Sequence, residues 1–503
     1  MFGFFNRAKK VGKGPTAVTG AQAVRSFGVA EMGRELSPWV FDGGFSNVEI
    51  AAALATIRTR SRDMQKNSPQ FSQYFRQFKN NVVGRGFTLR AQPCEAVGDP
   101  AIDEAAKAFI QYHFWKWSKD RDEVDLTGRK SFARMCRLIA ENWARDGEGI
   151  ILIERNAPTV YGLQLRVVRP DALDEKMNGQ GFTANTVIRN GVEIDRRTKR
   201  PVAYYFNGTA EDPMAAWYNS KPYVRVPASD VIHIFTQHDE CQTRGIPLGH
   251  ASLKKAKMLD EFDLSELVAA RDEANTTGIF HAPADREDEI KKLNEDTAAS
   301  NYVCQKSEPG TKYVLPPGWD YDPKTPQHPN REVSSFKNSM LRDVASGLGV
   351  EYACFANDWA GVSFSSVRAG TLAERDNYTT LQDDFVEMVV APVFKAWLAQ
   401  FLTRTIANPY VPSDFARLCE FEFQARTWAW VDPMKDVQAD AIAVEHGWKT
   451  NEEVTAQYGG SDFKENCARL AEENAAKKQA GILTAPQITK GEKPGKEKDE
   501  GEE

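Results

Sequence analysis

"FKNSMLRDVASGLGVEYACFANDWAGVSFSSVRAG", residues 336–370, is the stretch whose reading decides the fold. Its Gly347-x-Gly349 and Gly361-x-Ser363 steps invite two catalytic interpretations. A dinucleotide fingerprint needs a third glycine and a strand leading into a helix, whereas a helical pattern precedes these glycines. A nucleophile elbow needs a strand before the serine and glycine where Ser365 stands. Neither requirement is met. Read as punctuation, Gly347-Leu348-Gly349 ends a helix that starts at about Arg331 and aligns Val333, Phe336, Met340, Val344 and Leu348 on one face. A second helical pattern runs from Ser365 to Arg404, with Pro392 breaking or kinking it. Between the two lies a loop whose tip carries Phe355, Asn357, Asp358 and Trp359, with no basic residue from Val344 to Val367. On pattern alone, the simplest account of this loop is a connector that packs its aromatics on the core.

Outward from this loop the chain alternates character. Asn47 to Asn80 reads as one arginine-rich helix with Arg58, Arg60 and Arg62, and Phe71, Tyr74, Phe75 and Phe78 share a face at i, i+3, i+4, i+7. Gly84 and Gly86 break it and a strand begins. A helix over about Phe132 to Arg145 ends at "DGEG" (146–149), and "IILIER" (150–155) reads as a buried strand. Strands continue to about Phe206, including "VIRNGVEI" (187–194), where Asn190-Gly191 is a two-residue hairpin signal. "VIHIF" (231–235) is a further strand. A long helix follows over about Leu248 to Asn275, with Leu253, Ala256, Leu259, Phe262, Leu267 and Ala270 as its apolar stripe. Residues 276–329 change to Gly, Pro and Thr with short strand-like pieces around one charged helix at 285–296. The C-terminal part reads as helical. Asp432-Pro433 opens one helix and Gly447 ends it, and Thr450 with Glu453 forms a capping box for the next. The pattern predicts an α+β protein.

Composition narrows the function. The chain has 503 residues, 41% hydrophobic, with a net charge of −6 and a pI near 5.8. Such a chain can form a large core and does not coat itself with basic charge to grip nucleic acid. Cysteines at 94, 136, 241, 304, 354, 419 and 467 form no CxxC pair and read as reduced thiols. No apolar run approaches the ~18 residues that span a bilayer. The first thirty residues read as a basic solvated arm without a secretory signal, and the tail from about Thr484 is too polar to order itself.

Two clusters carry candidate chemistry. His233, His238, Cys241 and His250 suggest a metal site, and with it a soluble metal-assisted hydrolase. They lack the paired ligand spacing of zinc sites, so a core or edge histidine and a polar loop are the simpler account. Asp146 and Glu148 could be paired catalytic carboxylates, but flanking glycines read as a turn. No constellation meets the requirements of catalysis, and no cofactor or metal is expected. A monomeric nucleic-acid-binding protein is disfavoured by the acidic balance.

Four stretches together resemble one family. They are "LATIRTRSRDMQKNSPQFSQYFRQFKNNVVGRGFTL" (54–89), "HIFTQHDECQTRGIPLGHASLKKAKMLDEF" (233–262), the opening stretch, and "WAWVDPMKDVQADAIAVEHGWKTNEEVTAQYGGSDFKE" (428–465). In this order, over about residues 47 to 482, they are similar to the lambda-like portal proteins of tailed bacteriophages.

The resemblance implies an α+β portal fold and a non-enzymatic, DNA-conducting role. It implies a basic N-terminal arm (1–45), a mixed wing (46–247), a stem helix (248–275), a small α/β clip (276–329) and a second stem helix (330–349). A tunnel loop (350–364), a long kinked helix returning to the wing (365–412), C-terminal wing or crown helices (413–482) and a charged tail (483–503) complete it. Tyr352, Phe355, Asn357, Asp358, Trp359 and Ser363 become the channel-lining candidates, and Glu287 and Glu289 of the clip the docking candidates. The implied assembly is a homododecameric ring at the capsid portal vertex of the virion, formed in the bacterial host cytoplasm. Its implied partners are double-stranded DNA passing without sequence specificity, the terminase large subunit, major capsid and scaffold proteins, and head-completion and tail connector proteins, with no membrane. The acidic balance suits a channel wall, since dense basic contacts hold phosphates tightly at low salt.

Overall fold

The structure, a computed structural model, describes residues 46–99, 101–207, 223–275, 279–281, 320–322, 331–404, 408–428, 433–459 and 463–481. The helix expected from Asn47 to Asn80 is two, α1 (Ser46–Asn67) and α2 (Pro69–Val82). Ser68 is extended (φ −96°, ψ 121°) and Pro69 takes the first turn of α2. The residue before proline is pushed out of the helical region, and proline suits the first helical position. α2 buries Phe71, Tyr74, Phe75, Phe78 and Val82, the stripe that the sequence predicts.

β1 (Thr88–Ala91) leads to α3 (Glu104–Lys119), a helix absent from the sequence reading, then α4 (Arg121–Val124) and α5 (Phe132–Asp146). Asp103 caps α3 by accepting from the Ala106 amide, and Ala106, Ile110, Phe114 and Trp117 form its buried stripe. β2 (Glu148–Arg155) is the centre of a three-stranded antiparallel sheet, flanked by β3 (Leu163–Val168) and β9 (Val231–Phe235). An antiparallel meander follows: β4 (Gly179–Gln180), β5 (Thr186–Arg189), β6 (Val192–Asp195), β7 (Pro201–Asn207) and β8 (Tyr223–Pro227). Asn190 and Gly191 join β5 to β6 with φ of 51° and 85°, the left-handed pair that a two-residue hairpin requires.

The larger core is aromatic. Trp117, Trp143, Trp397, Phe78, Phe114, Phe385 and Phe394 are all buried in it, and edge-on pairs such as Phe78–Trp143 (5.8 Å) and Phe114–Trp397 (5.2 Å) recur. A smaller core gathers Ile150 and Val168 with Leu173, Val192, Tyr204, Phe206 and Val231.

α6 (His250–Asn275) and α7 (Arg331–Leu348) lie antiparallel, as the ion pairs Lys255–Asp343 and Lys337–Asp263, each at 2.5 Å, require. Near their shared base Leu253, Ala256, Leu259, Leu341, Val344 and Leu348 are buried. Farther out the cover ends. Leu267, placed in the apolar stripe by the sequence, is 67% exposed, and Leu264, Val268 and Phe336 are exposed too, as is Met258 nearer the base. Helical periodicity marks an apolar face but not the length over which something covers it. Between these helices, β10 (Ile279–His281) pairs antiparallel with β11 (Asp320–Asp322). Glu287, Glu289 and the helix expected at 285–296 lie outside the described residues.

After α8 (Tyr352–Ala356) comes α9 (Phe364–Phe385), a π-helical turn at Val386–Val390 and α10 (Ala391–Phe401). Pro392 has no N–H for the carbonyl four residues back. The helix therefore widens just before it, the Ala391 amide reaching Val386 O, and continues instead of breaking. α11 (Phe415–Leu418) precedes β12 (Phe421–Gln424), which pairs with β1. The C-terminal part is thus not wholly helical before α12 (Pro433–Glu445), α13 (Asn451–Gly459) and α14 (Phe463–Gln479). Gly447 ends α12 in left-handed geometry (φ 73°), and Thr450 and Glu453 exchange both capping-box bonds. Arg368 on α9 pairs with Asp436 on α12 at 2.7 Å.

Candidate functional site

The loop between α7 and α9 is built from its ends inward. Gly349, at φ 68°, closes α7: its amide reaches Ser346 O, and the Val350 amide reaches Ala345 O. These two bonds form a Schellman motif, as the G-L-G punctuation predicts. Asn377 on α9 donates to Gly349 O at 3.1 Å and staples the loop's two flanks. Ser363 opens α9, its hydroxyl accepting from the Ser366 amide at 3.2 Å.

Inside the loop the structure departs from the expectation. Residues 352–356 form a helical turn, α8, capped by Glu351 at its start and by left-handed Asn357 (φ 53°) at its end. Phe355 was expected on a channel wall; it is 1% exposed and meets Phe71 of α2 edge-on at 6.4 Å. Burial of such a ring is worth about 1.5–3 kcal/mol, and the turn of α8 points it inward. Gln73 of α2 donates to the Cys354 carbonyl at 2.7 Å. Burial, and then Glu374 and Glu351, push the Cys354 thiol up to about 11.

The exposed part is shorter than the loop. Trp359 is 51% exposed and Phe364 60%, and Asn357 accepts from Trp359 Nε1 at 3.4 Å. Asp358 is engaged within the loop: Tyr352 Oη donates to Oδ2 at 2.7 Å and the Ala360 amide to Oδ1 at 3.1 Å. The Tyr352 hydroxyl first, then the Ala360 amide, hold the Asp358 carboxyl below its ordinary range. Burial and the Asp358 bond push Tyr352 up to about 12. The Arg342 guanidinium lies 4.8 Å from the Tyr352 ring centroid. Phe364 and Arg342 were missed by the sequence reading. An aromatic next to an N-cap serine was a usable signal for Phe364, whereas Arg342 meets Tyr352 only through the turn of the chain at Gly349.

The histidines and cysteine do not converge. His233 has a 3% exposed side chain and meets Glu148 Oε2 through Nε2 at 3.0 Å. Cys241 is exposed, and the His238 and His250 ring centroids are 6.4 Å apart. Among the described residues no group of His, Cys, Asp and Glu is arranged to hold a metal ion.

"DGEG" is more than a turn. Glu148 is buried among Arg58 of α1, Arg244 and His233. Asp146 is buried against Arg62 (2.7 Å) and Arg145 (2.6 Å). Burial alone would raise both carboxyls. Arg244 and then Arg58 hold Glu148 well below the usual range, and Arg145 and Arg62 lower Asp146. Arg244 also donates to the carbonyls of Leu173, Asn190 and Pro170. A Cβ on Gly147 would strike the Ile246 backbone, and one on Gly245 would strike Gly147 O. The Q-x-R-G segment and "DGEG" therefore interlock as one structural joint that ties α1, β2, β9 and the β5–β6 hairpin. Every carboxylate oxygen of this joint faces an arginine, amide or histidine, so neither acid is left free as a base.

Comparison with known proteins adds an independent line. The profile described as "Phage portal protein, lambda family" matches residues 32–382. A protein of Halomonas phage phiHAP-1 described as "Probable portal protein" is 31% identical over 424 residues, covering 84% of this chain and 81% of its own. Portal protein B of Escherichia phage lambda is 23% identical over 514 residues, covering 93% of each chain. The portal protein of Escherichia phage N15 is 22% identical, covering 90% of this chain and 89% of its own. Among solved structures, a chain from the neck of an empty gene transfer agent particle computed with C6 symmetry aligns with a TM-score of 0.42 at 13% identity, covering 83% of this chain and 94% of that one. A chain from the neck of the native particle computed with C12 symmetry aligns with a TM-score of 0.40 at 12% identity, covering 78% and 92%.

Proposed function

The chain belongs to the lambda family of phage portal proteins, and from that premise we propose how its parts act. It is a portal protein of the virion and not an enzyme, in keeping with the family; the metal-assisted hydrolase finds no support in the comparisons. Twelve copies close into a ring at the portal vertex, assembled in the host cytoplasm. Residues 46–247 form the wing, α6 and α7 the stem, 276–329 the clip, 350–364 the tunnel loop, and 413–482 the C-terminal wing or crown.

The observation that carries the ring is the uncovered apolar surface of α6 and α7. Met258, Leu264, Leu267 and Val268, with Phe336 opposite, stand in solvent on a two-helix projection. A helix pair in water needs a packed face, and a heterologous contact that closes on itself supplies it from the next copy. The channel then faces the exposed part of the loop, Asn357 and Trp359 with Ser363 and Phe364. Double-stranded DNA passes it without sequence reading, because rings and an amide offer no basic trap for phosphates. The clip, with Glu287 and Glu289, docks the terminase large subunit and later the head-completion and tail connector proteins. The wing contacts the major capsid and scaffold proteins.

Electron microscopy of the purified protein, and of capsid-associated material, tests the assembly: closed rings are expected, and a strictly monomeric protein in both samples refutes it. Packaged DNA per capsid in Trp359→Ala tests the loop, with reduced packaging by intact rings expected.

A further inference from the structure

The loop consists of a rigid base and a lightly held tip. Its base is tied to α2 through Phe355 against Phe71 and through Gln73 and Gln77 to the Cys354 carbonyl. Past α8 the chain turns left-handed at Asn357 and again at Gly361 (φ 71°), where no atom lies within 4 Å of a would-be Cβ. A tip of this kind, bearing Ala360 and Gly361, has many conformations open to it. Two bonds to the Asp358 carboxylate restrict them, from Tyr352 Oη at 2.7 Å and the Ala360 amide at 3.1 Å. The Tyr352 ring is in turn covered by Arg342, 4.8 Å from its centroid, near the end of α7.

We infer that Arg342, Tyr352 and Asp358 form a latch through which the end of α7 sets the pose of the Trp359 tip. This deepens the tunnel-loop reading and rests on it. The three are positioning residues: they hold the tip, and Trp359 meets the DNA. The latch is weak where the base is strong. It consists of one hydrogen bond to a partly exposed carboxylate and one solvent-facing cation–π contact, both of which water can replace, while the base has a buried aromatic ring. The tip therefore releases and re-forms while α8 stays docked, and a shift of α7 that carries Arg342 off the ring favours release. In a ring, that makes the pose of each tip depend on the stem helix of its own copy.

Hydrogen exchange on assembled full-length rings tests the latch. Tyr352→Phe removes the hydroxyl and keeps the ring. It is expected to speed exchange in peptides covering 357–363 by about fivefold, the loss of one modest hydrogen bond, with peptides covering Phe355 and α2 unchanged. Asp358→Ala, which also frees the Ala360 amide, gives a tip-confined rise at least as large, and the double variant exchanges no faster than Asp358→Ala alone, since the Tyr352 hydroxyl then has no partner left to lose. Arg342→Gln raises tip exchange by about twofold, and Arg342→Lys, which keeps a cation over the ring, restores it. Unchanged tip exchange in Tyr352→Phe overturns the latch. So does a rise that extends equally to Phe355, full additivity of the double variant, or indifference to Arg342→Gln. Packaged DNA per capsid separates the two readings: faster tip exchange with wild-type packaging leaves the latch standing and removes the tunnel loop from the DNA path.

Discussion

Arg244 and Glu148 stand 96 residues apart in the chain, yet Arg244 Nε reaches both carboxylate oxygens and Nη2 reaches Oε1 at 2.5 Å. Neither side chain has any exposed surface. Removing one member of a buried, bonded pair strands the other, at a cost of about 3–5 kcal/mol, whereas replacing both by apolar groups of similar size costs far less. Glu148 keeps Arg58 and His233 after Arg244→Met, so that variant is expected to cost up to about 3–5 kcal/mol, whereas adding Glu148→Leu leaves Arg58 buried without this carboxylate and is expected to lower stability further. Urea denaturation of dissociated protein measures both; a double variant more stable than the single one goes against it.

The same joint sets an acid limit. Glu148 is held well below its ordinary pKa, against the raising effect of burial, by Arg244 and Arg58. A depressed carboxyl contributes stability above its unfolded value, about 4.3 for glutamate, and loses it as pH falls toward the folded value. The gap in thermal midpoint between wild type and Glu148→Gln should be full at pH 7 and narrow below about pH 4. A gap independent of pH contradicts the assignment.

Phe355 and Trp359, four positions apart, should behave oppositely. Phe355→Ala empties a packed aromatic site and should cost about 3–5 kcal/mol. Trp359→Ala, at an exposed site, should change stability by no more than about 0.5 kcal/mol yet lower packaged DNA per capsid. Equal stability losses in the two variants would remove the distinction between base and tip.

Leu264→Asp and Leu267→Asp place charge on the uncovered side of α6. Circular dichroism of the monomer should remain that of wild type, since both positions are already exposed, while size-exclusion mass should show rings lost or weakened. Normal rings in a Leu264→Asp, Leu267→Asp double variant argue against this face as the contact between copies.

Asp358→Lys both opens the latch and adds a cation to each tip. Translocation is expected to slow, increasingly at low salt, because each phosphate contact strengthens as salt falls. Single-capsid packaging rates across a salt series measure this; a salt-independent rate speaks against DNA contact at the tip.

Much of the local structure was legible. The α2 stripe, the Asn190-Gly191 hairpin, the G-L-G helix end and the Thr450–Glu453 box rest on backbone preferences and contacts within a few residues, which a sequence displays directly. Pro69 and Asp103 carried equally local signals for a helix break and a helix start that went unread. β12 was not legible, because Phe421–Gln424 becomes a strand by pairing with Thr88–Ala91. At the loop, residue types placed Phe355 on an exposed wall, whereas it is buried.

The sequence by itself determined the family, many of the helices and strands, and where the loop between α7 and α9 begins and ends, since these depend on periodicity, glycine and proline geometry and the order of four motifs. Only the tertiary structure decided which side chains those elements face. Phe355 lies inward because α2 presents Phe71 and Gln73 to it; Glu148 is an ion-pair centre because Arg58 and Arg244 arrive from distant segments. A charge or a ring carries no mark in one dimension of being buried or exposed. That depends on desolvation by neighbours brought together across the chain, and those neighbours exist as such only once it has folded.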